Sequence, residues 1–407
     1  MPGEQLLVIT QTQQDELKKK TMSWFRQAPP NEWFYLEPIS ISHKKAPVVI
    51  VADPQNGGNL FVISTYYYNS KHCNEIKHVR PTLSEYSPTD DLWIQYKIAF
   101  DHVSLSKHID FWLLSDNPAI MFNNTIYLFN WTGQIVLFEI NKTTHQCMLK
   151  LLRNDSTAKH IKRATTRGSA ILIPEQQQIQ IIGGNGGTEG AEYHIIYNIH
   201  QQIITKKHEL TLKLKLIKRN WIGISQCGLV RIKNNKILLI GGRNAGGIPR
   251  KSIHLYDMNK NEWDQFPFNI LPFKNNNCCF NGSCVSIFDG SIVLIFNGVK
   301  KSIYIYDCIA QRFYKSEIEC PIEQEYNYKI FIINNDIQEL LLMVWGYIRN
   351  SWNTLKLANQ YHFLAPYLIK IIYKYSIDEW IHLFIDYTDR KEHYQMNVMD
   401  IICNYKQ

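Results

Sequence analysis

The sequence predicts an all-β fold built from a repeated four-stranded unit. Short apolar or alternating runs, each bounded by Gly, Asn, Asp or Pro, recur along the chain, which is the pattern of strands joined by hairpin turns. The order apolar strand, Gly-Gly, Tyr-Asp, Trp returns at a period of roughly 50 residues. The interval from the Tyr position to the Trp position is seven residues in unit after unit.

The clearest copy runs from Ser225 to Phe266. CGLVRI is its first strand and ends in the turn KNNK. ILLI is the second and stops at Gly241-Gly242, where a glycine pair marks positive φ or a close backbone approach. The loop RNAGGIPRK leads to SIHLYD, and the turn MNKNE leads to a fourth strand opening at Trp263. Tyr256 and Trp263 therefore place two large rings on consecutive strands.

Taken in order, residues 1–30 are polar, carry Lys18-Lys19-Lys20 and end at Pro29-Pro30, and read as a disordered tail. NEWFYLEPI (31–39) looks like a fourth strand with no unit before it. The first unit has PVVIVA, LFVIST and Tyr86 with Trp93 seven later. The second has PAIMF, TIYLF, IVLFEI and CMLKLL, with Phe138 in the Tyr place and His145 seven later. The third has SAILIP, a strand ending at Gly183-Gly184, and Tyr197 with Ile204. The fourth is the Ser225–Phe266 copy. The fifth has SIVLIFNG, ending at Gly298, and Tyr306-Asp307 with Phe313. The sixth has YKIFIIN and QELLLMVWG, with a third strand expected near WNTLKL (352–357).

This pattern resembles the kelch repeat, in which each unit is one blade of a β-propeller. The resemblance covers about 31–357 and is degenerate: Trp is kept in two units and Gly-Gly in two. It implies six blades over 31–358, closed when the orphan strand 31–39 supplies the fourth strand of the last blade and removes two open sheet edges. It also implies that Gly183, Gly184, Gly241, Gly242, Gly298, Tyr86, Trp93, Tyr197, Tyr256, Trp263, Tyr306 and Phe313 are structural repeat positions. Residues 359–407 differ in composition. Phe363, Leu364, Tyr367, Leu368, Ile371, Ile372 and Tyr375 fit one face of a helix, with a hairpin possible beyond it. That appendage either packs on the propeller or docks a partner.

Composition bounds the function. In 407 residues, 45% are hydrophobic, 20% charged and 13% aromatic, as suits a globular chain of face-to-face sheets. No apolar run reaches membrane-spanning length, and no secretory signal opens the chain. The nine cysteines show no metal-binding spacing and read as reduced thiols of a cytosolic protein. No GxSxG, HExxH or phosphate-loop motif is present. The expectation is therefore a monomer without catalysis or cofactor.

In such a fold the second-to-third loops and the unit-to-unit connections share one face. They are long here, whereas the opposite turns are minimal, and long loops on a rigid scaffold carry function. The long segments hold Lys159, Lys162, Arg163, Arg167, Lys218, Arg219, Arg243, Arg250 and Lys251, which would draw an acidic or phosphorylated protein partner. Nucleic acid is disfavoured because HIKRATTR and KLKLIKR lack interleaved aromatics. Family resemblance implies protein–protein interaction. The alternatives are a kelch-fold enzyme of the oxidase or small-molecule-modifying kind, and a substrate-recognition subunit of a ubiquitin ligase.

Overall fold

The computed structural model describes residues 33–39, 48–53, 59–69, 76–87, 92–100, 117–130, 133–152, 168–184, 193–209, 227–243, 251–264, 269–270, 284–287, 290–297, 302–319, 328–335, 338–345, 368–374 and 385–386. Apart from one 3-10 turn at Pro174–Gln176, their regular structure is all strand. The strands are β1 (Trp33–Ile39), β2 (Val48–Ala52), β3 (Leu60–Asn69), β4 (Ile76–Ser87), β5 (Leu92–Phe100), β6 (Ala119–Phe122), β7 (Thr125–Phe129), β8 (Ile135–Asn141), β9 (Gln146–Leu152), β10 (Gly168–Ile173), β11 (Gln178–Gly183), β12 (Tyr193–Asn198) and β13 (Ile203–Glu209). They continue as β14 (Gly228–Ile232), β15 (Lys236–Ile240), β16 (Ser252–Asp257), β17 (Glu262–Trp263), β18 (Asn269–Ile270), β19 (Cys284–Ile287), β20 (Ile292–Asn297), β21 (Ser302–Asp307), β22 (Arg312–Glu319), β23 (Tyr328–Asn335), β24 (Gln338–Trp345), β25 (Leu368–Lys374) and β26 (Ile385–Asp386).

The strands pair as successive antiparallel meanders. β10 to β13 form one sheet, β14 to β17 a second with β18 added to β16, and β19 to β22 a third with β26 at its edge. β2 to β5 and β6 to β9 join into one eight-stranded sheet, because edge strands β5 and β9 pair in parallel. That sheet is nearly closed, since its two terminal strands β2 and β6 lie against each other. The last sheet has the order β1-β25-β24-β23, so the first described strand is the edge of the last described meander. There Trp33 faces Tyr373 and Tyr35 faces Ile371. The first strands of the meanders lie side by side in succession: β2 on β6, β6 on β10, β10 on β14, β14 on β19, β19 on β23.

The cores lie between successive sheets. In KILLI of β15, neighbouring side chains point to opposite faces. Ile237 and Leu239 pack with Ile173 and Ile182 of the sheet before. Leu238 and Ile240 pack with Val293, Ile295, Tyr304 and Tyr306 of the sheet after. The same two-sided burial joins Phe129 and Leu137 to Ile181 and Tyr197, and Phe61 and Ile63 to Leu128 and Phe138. Strands covered on both faces read as continuous apolar runs rather than alternating ones, which is why ILLI and IVLIF are so conspicuous in sequence.

One turn recurs. Between third and fourth strands the chain spends four residues: 142–145, 199–202, 258–261 and 308–311. The residue before the turn is Asn or Asp, and its side-chain oxygen accepts turn amides. Asp257 Oδ1 takes Asn259 N at 3.0 Å and Lys260 N at 3.1 Å, Asp307 Oδ1 takes Ile309 N at 2.8 Å and Ala310 N at 2.9 Å, and Asn198 Oδ1 takes Gln201 N at 2.8 Å. The last turn residue is left-handed in all four: His145 (φ 50°), Gln202 (54°), Asn261 (58°) and Gln311 (56°). The Asp of Tyr-Asp is thus a turn cap. The Tyr is a packing residue: Tyr86, Tyr197, Tyr256 and Tyr306 are at most 1% exposed. Tyr86 lies 4.9 Å from Trp93, Tyr256 5.1 Å from Trp263 and Tyr306 4.7 Å from Phe313, ring centre to ring centre.

Gly241 and Gly242 end β15 at φ 62° and 92°. Gly290 (φ 78°) sits so close to the neighbouring sheet that a Cβ there would meet the Ile232 backbone at 2.6 Å.

Two sequence expectations come out differently. Leu368–Lys374, placed on a helix by its spacing, runs as strand β25 between β24 and β1. LIKIIYK is rich in Ile and Tyr, which suit a pleated surface, and the sheet supplies hydrogen-bond partners on both sides. The segment 352–357, expected as that third strand, lies outside the described residues, as do 1–32 and most of 359–407. In the second unit, His145 does not face Phe138. Phe138 faces Leu149, and His145 closes the turn. Ile126 faces Phe138 as Ile237 faces Tyr256, yet the turn starts four residues after Phe138 and only two after Tyr256. The β8–β9 hairpin is therefore two residues longer on each strand. No helix among the described residues is long and apolar enough to cross a membrane.

Candidate functional site

Strand register sorts the connections onto two ends of the sheets. In the fourth meander Gly228 faces Ile240, Ile240 faces Ile253, and Ser252 faces Ile270. First-strand starts, second-strand ends, third-strand starts and fourth-strand ends therefore share one end. The segments joining them include the long ones 101–116, 153–167, 185–192, 210–226 and 244–250, and the shorter links 70–75, 130–134 and 298–301. At the opposite end are the short turns: Asn123-Asn124 (φ 47° and 57°), Asn234-Asn235 (φ 63° and 54°) and the capped four-residue turns.

At the long-connection end, Arg243 follows the Gly241-Gly242 pair and Lys251 precedes β16. Both are partly exposed, and they flank the 244–250 connection. Lys159, Lys162, Arg163, Arg167, Lys218, Arg219 and Arg250 lie outside the described residues, as does Gly298. The start of β10 is tied to that of β14, since Ser169 Oγ donates to the Cys227 carbonyl at 2.6 Å. Asn117, immediately before Pro118 and β6, is 1% exposed, and its side-chain amide has no hydrogen-bond partner among the described residues.

The short-turn end carries a polar cluster that no motif announces. Asp53 follows β2, Asn59 precedes β3, Glu85 is on β4, Tyr96 on β5, and Lys142 opens the turn of the longer β8–β9 hairpin. Lys142 Nζ lies 3.0 Å from Asp53 Oδ2 and 3.3 Å from Glu85 Oε1. Asn59 Nδ2 donates to Glu85 Oε1 at 2.7 Å, and Tyr96 OH donates to Glu85 Oε2 at 2.5 Å. A second ion pair between meanders, Arg231 to Glu175, sits at the same end but is exposed. Sequence reasoning missed the buried cluster because its members come from five strands or turns of two meanders. The one readable signal is the turn NKTTHQ, whose lysine follows a capping Asn141.

Burial shapes the acid–base behaviour of the cores. It pushes the Tyr96 phenol well up, with the bond to Glu85 adding to the effect, and it raises Tyr197 as well. Tyr256 is pushed up to about 12 by burial with Asp257 adding to it. Cys147 and Cys308 are also pushed up to about 12, again chiefly by burial. The folded chain thus holds protons that the unfolded chain releases near pH 8.5 for thiols and near 10 for phenols. Their contribution to stability is complete below about pH 8.5 and is lost as pH rises through 10 toward 12. Thermal midpoints are expected to be level from pH 7 to 8.5 and to fall steeply above pH 10. A midpoint unchanged to pH 11 would contradict this.

Comparison of the chain with protein-family models and with curated proteins finds no match in either.

Proposed function

We propose that the chain is a six-bladed β-propeller resembling kelch-repeat proteins, and that it works in the cytosol as a non-catalytic scaffold. Its docking surface is the long-connection end, and its partner is an acidic or phosphorylated protein segment. Six consecutive meanders, cores between each neighbouring pair of the first five, the same four-residue turn in four of them, and β1 at the edge of the last support the ring. The kelch likeness rests on the Gly-Gly, Tyr-Asp and Trp positions.

The observation that carries the docking surface is the sorting of connections by register. The long connections 101–116, 153–167, 185–192, 210–226 and 244–250 leave one scaffold end, which the short links 130–134 and 298–301 share, and the seven-residue β2–β3 connection leaves the other. Charge adds direction. The 153–167 connection holds Arg153, Lys159, Lys162, Arg163 and Arg167 against one acid, Asp155. The 210–226 connection holds Lys213, Lys215, Lys218 and Arg219 with no acid. These two connections enter β10 and β14, first strands that lie side by side. Arg243 and Lys251 belong to the β14 meander. Such a concentration steers acidic partners and raises the association rate more than the final affinity.

Affinity capture with the purified chain, run at low and physiological salt, tests this reading. A retained partner should be acidic over the contacting segment and should bind more weakly as salt rises. Reversing Lys162, Arg163, Lys218 and Arg219 to Glu should cut capture by about tenfold while leaving the thermal midpoint unchanged, because surface charges steer and contribute little to folding. A partner indifferent to both salt and the reversals would move the docking surface elsewhere.

A further inference from the structure

An outer strand with a free edge is a template for another chain, and the outer strands of the meanders are protected in different ways. β5 and β9 cover each other by parallel pairing. β13 carries Lys206, Lys207 and His208 in succession. β17 is two residues long. β1 contains Pro38, which has no N–H to give, and its register breaks between Leu36 and Ile39. β22 is different. It is eight residues long, has no proline, and is covered by β26, where Lys315 faces Ile385 and Tyr314 faces Asp386. That cover reaches two residues of the strand. The stretch of β22 that keeps one register with β21 runs from Arg312, opposite Asp307, to Lys315, opposite Tyr304. It reads RFYK, with two cations and no acid, and Arg312 is exposed. The acids of the strand, Glu317 and Glu319, come after it. Asp307 uses Oδ1 to accept the turn amides of Ile309 and Ala310.

We propose that the outer edge of β22 is a strand-acceptor site for an extended acidic segment of a partner protein, with Ile385–Asp386 as its displaceable cover. The seated cover gives the binding mode, which is main-chain pairing antiparallel to β22. The strand gives the preferred chemistry. In that register the positions opposite Lys315 and Arg312 are three residues apart in an incoming segment. Acids at that spacing meet both cations across the ladder, and opposite charges that face each other stabilise strand pairs. The cover does not have this pattern: Ile385 stands opposite Lys315, and its acid falls opposite Tyr314. A two-residue strand also makes few ladder bonds, so a longer segment with matched charges outcompetes it. A second copy of β22 is a poor occupant. Antiparallel self-pairing of RFYK sets Arg312 opposite Lys315 twice, like charge on like. This edge is the flank of a sheet rather than one of its ends, so the site stands independently of the docking surface at the long connections.

Binding of labelled seven-residue peptides to the full-length chain, read by fluorescence anisotropy, tests the site. VTEVTEV carries glutamates three apart. VTKVTKV reverses the charge, and VTEPTEV removes a ladder donor. Ile385→Pro combined with Asp386→Pro takes the amide donors from the cover. That variant should bind VTEVTEV about tenfold more tightly than wild type, as expected if the cover is seated about nine-tenths of the time, and should bind neither control. Arg312→Glu combined with Lys315→Glu should weaken binding by about tenfold. The bound peptide should slow hydrogen exchange over residues 312–319. Reversing Lys162, Arg163, Lys218 and Arg219 to Glu should leave peptide binding unchanged, which separates this edge from the long-connection end. If the double-proline variant does not fold, wild type decides, because excess VTEVTEV should displace the cover and protect residues 312–319 by itself. Equal binding of either control, no gain in a folded proline variant, or binding that survives the Arg312 and Lys315 reversals would each overturn the site. So would binding abolished by the four reversals at the long connections, or a proline variant that dimerises instead of taking the peptide.

Discussion

Deleting residues 1–40 is expected to lower the thermal midpoint by on the order of 5–10 °C, whereas deleting residues 1–25 leaves it near that of the full chain. The difference between the two truncations is β1. Its backbone pairs with β25 from Trp33 opposite Tyr373 to Ile39 opposite Leu368. Each ladder hydrogen bond contributes about 1 kcal/mol net, so losing the strand removes several kcal/mol. The loss also exposes β25 as an unpaired edge, a template for association with other chains. The shorter truncation should stay monomeric and the longer one should gain a tendency to aggregate on warming. Equal midpoints for both would mean that β1 contributes nothing to closing the last meander.

Tyr256→Ala should destabilise by about 3–5 kcal/mol, the range for emptying an aromatic site in a packed core. The ring is 1% exposed and packs in three directions. Trp263 lies 5.1 Å away on the paired strand, and His194 of the preceding sheet meets it edge-on at 4.6 Å. Its hydroxyl donates to Asn261 Oδ1 at 2.5 Å, which ties the ring to the capped turn. Tyr256→Phe removes only that last bond and should cost about 1 kcal/mol. Urea unfolding of the two variants separates ring from hydroxyl. Since Tyr256 sits inside the stack, Tyr256→Ala should still capture the same partner at temperatures where it is folded. A stable variant that had lost its partner would make Tyr256 a contact residue.

Much of the architecture was legible because the chain repeats. Burial on both faces writes itself as ILLI and IVLIF, and the four-residue turn writes itself as Asp or Asn followed at a fixed interval by the next strand. The spacing of seven held even where the residue types drifted, though in the second unit it connects Ile140 with Cys147, which face each other, and not Phe138 with His145. That slip came from reading the interval without the hairpin length. β25 was illegible for a different reason. Leu368, Ile371, Ile372 and Tyr375 satisfy a helical face, and seven residues are too few for periodicity to decide between helix and strand. What decides is the sheet, where β24, paired with β23 on one side, lacks a second neighbour until Leu368–Lys374 fills the gap between it and β1.

The sites divide along the same line. The basic connections were readable as charge, because net charge along a segment needs no tertiary contact. The Asp53–Glu85–Lys142 cluster was not, since Asp53 and Lys142 stand 89 residues apart and meet only when two meanders pack. Isolated acids and a lysine in turns look like ordinary solvated surface until burial is known. The sole anomaly was the length of the β8–β9 hairpin, which becomes visible only after the strands are aligned.

Hydrogen exchange of the full-length chain, followed by mass spectrometry, tests the proposed ring most directly. If β1 completes the last meander, amides of Trp33–Ile39 should be protected to the same degree as those of Gln338–Trp345, because the two strands flank β25 in one sheet. Peptides from residues 1–30 should exchange at once. Exchange of Trp33–Ile39 as fast as that tail, with Gln338–Trp345 still protected, would contradict the closure and leave the stack of meanders open.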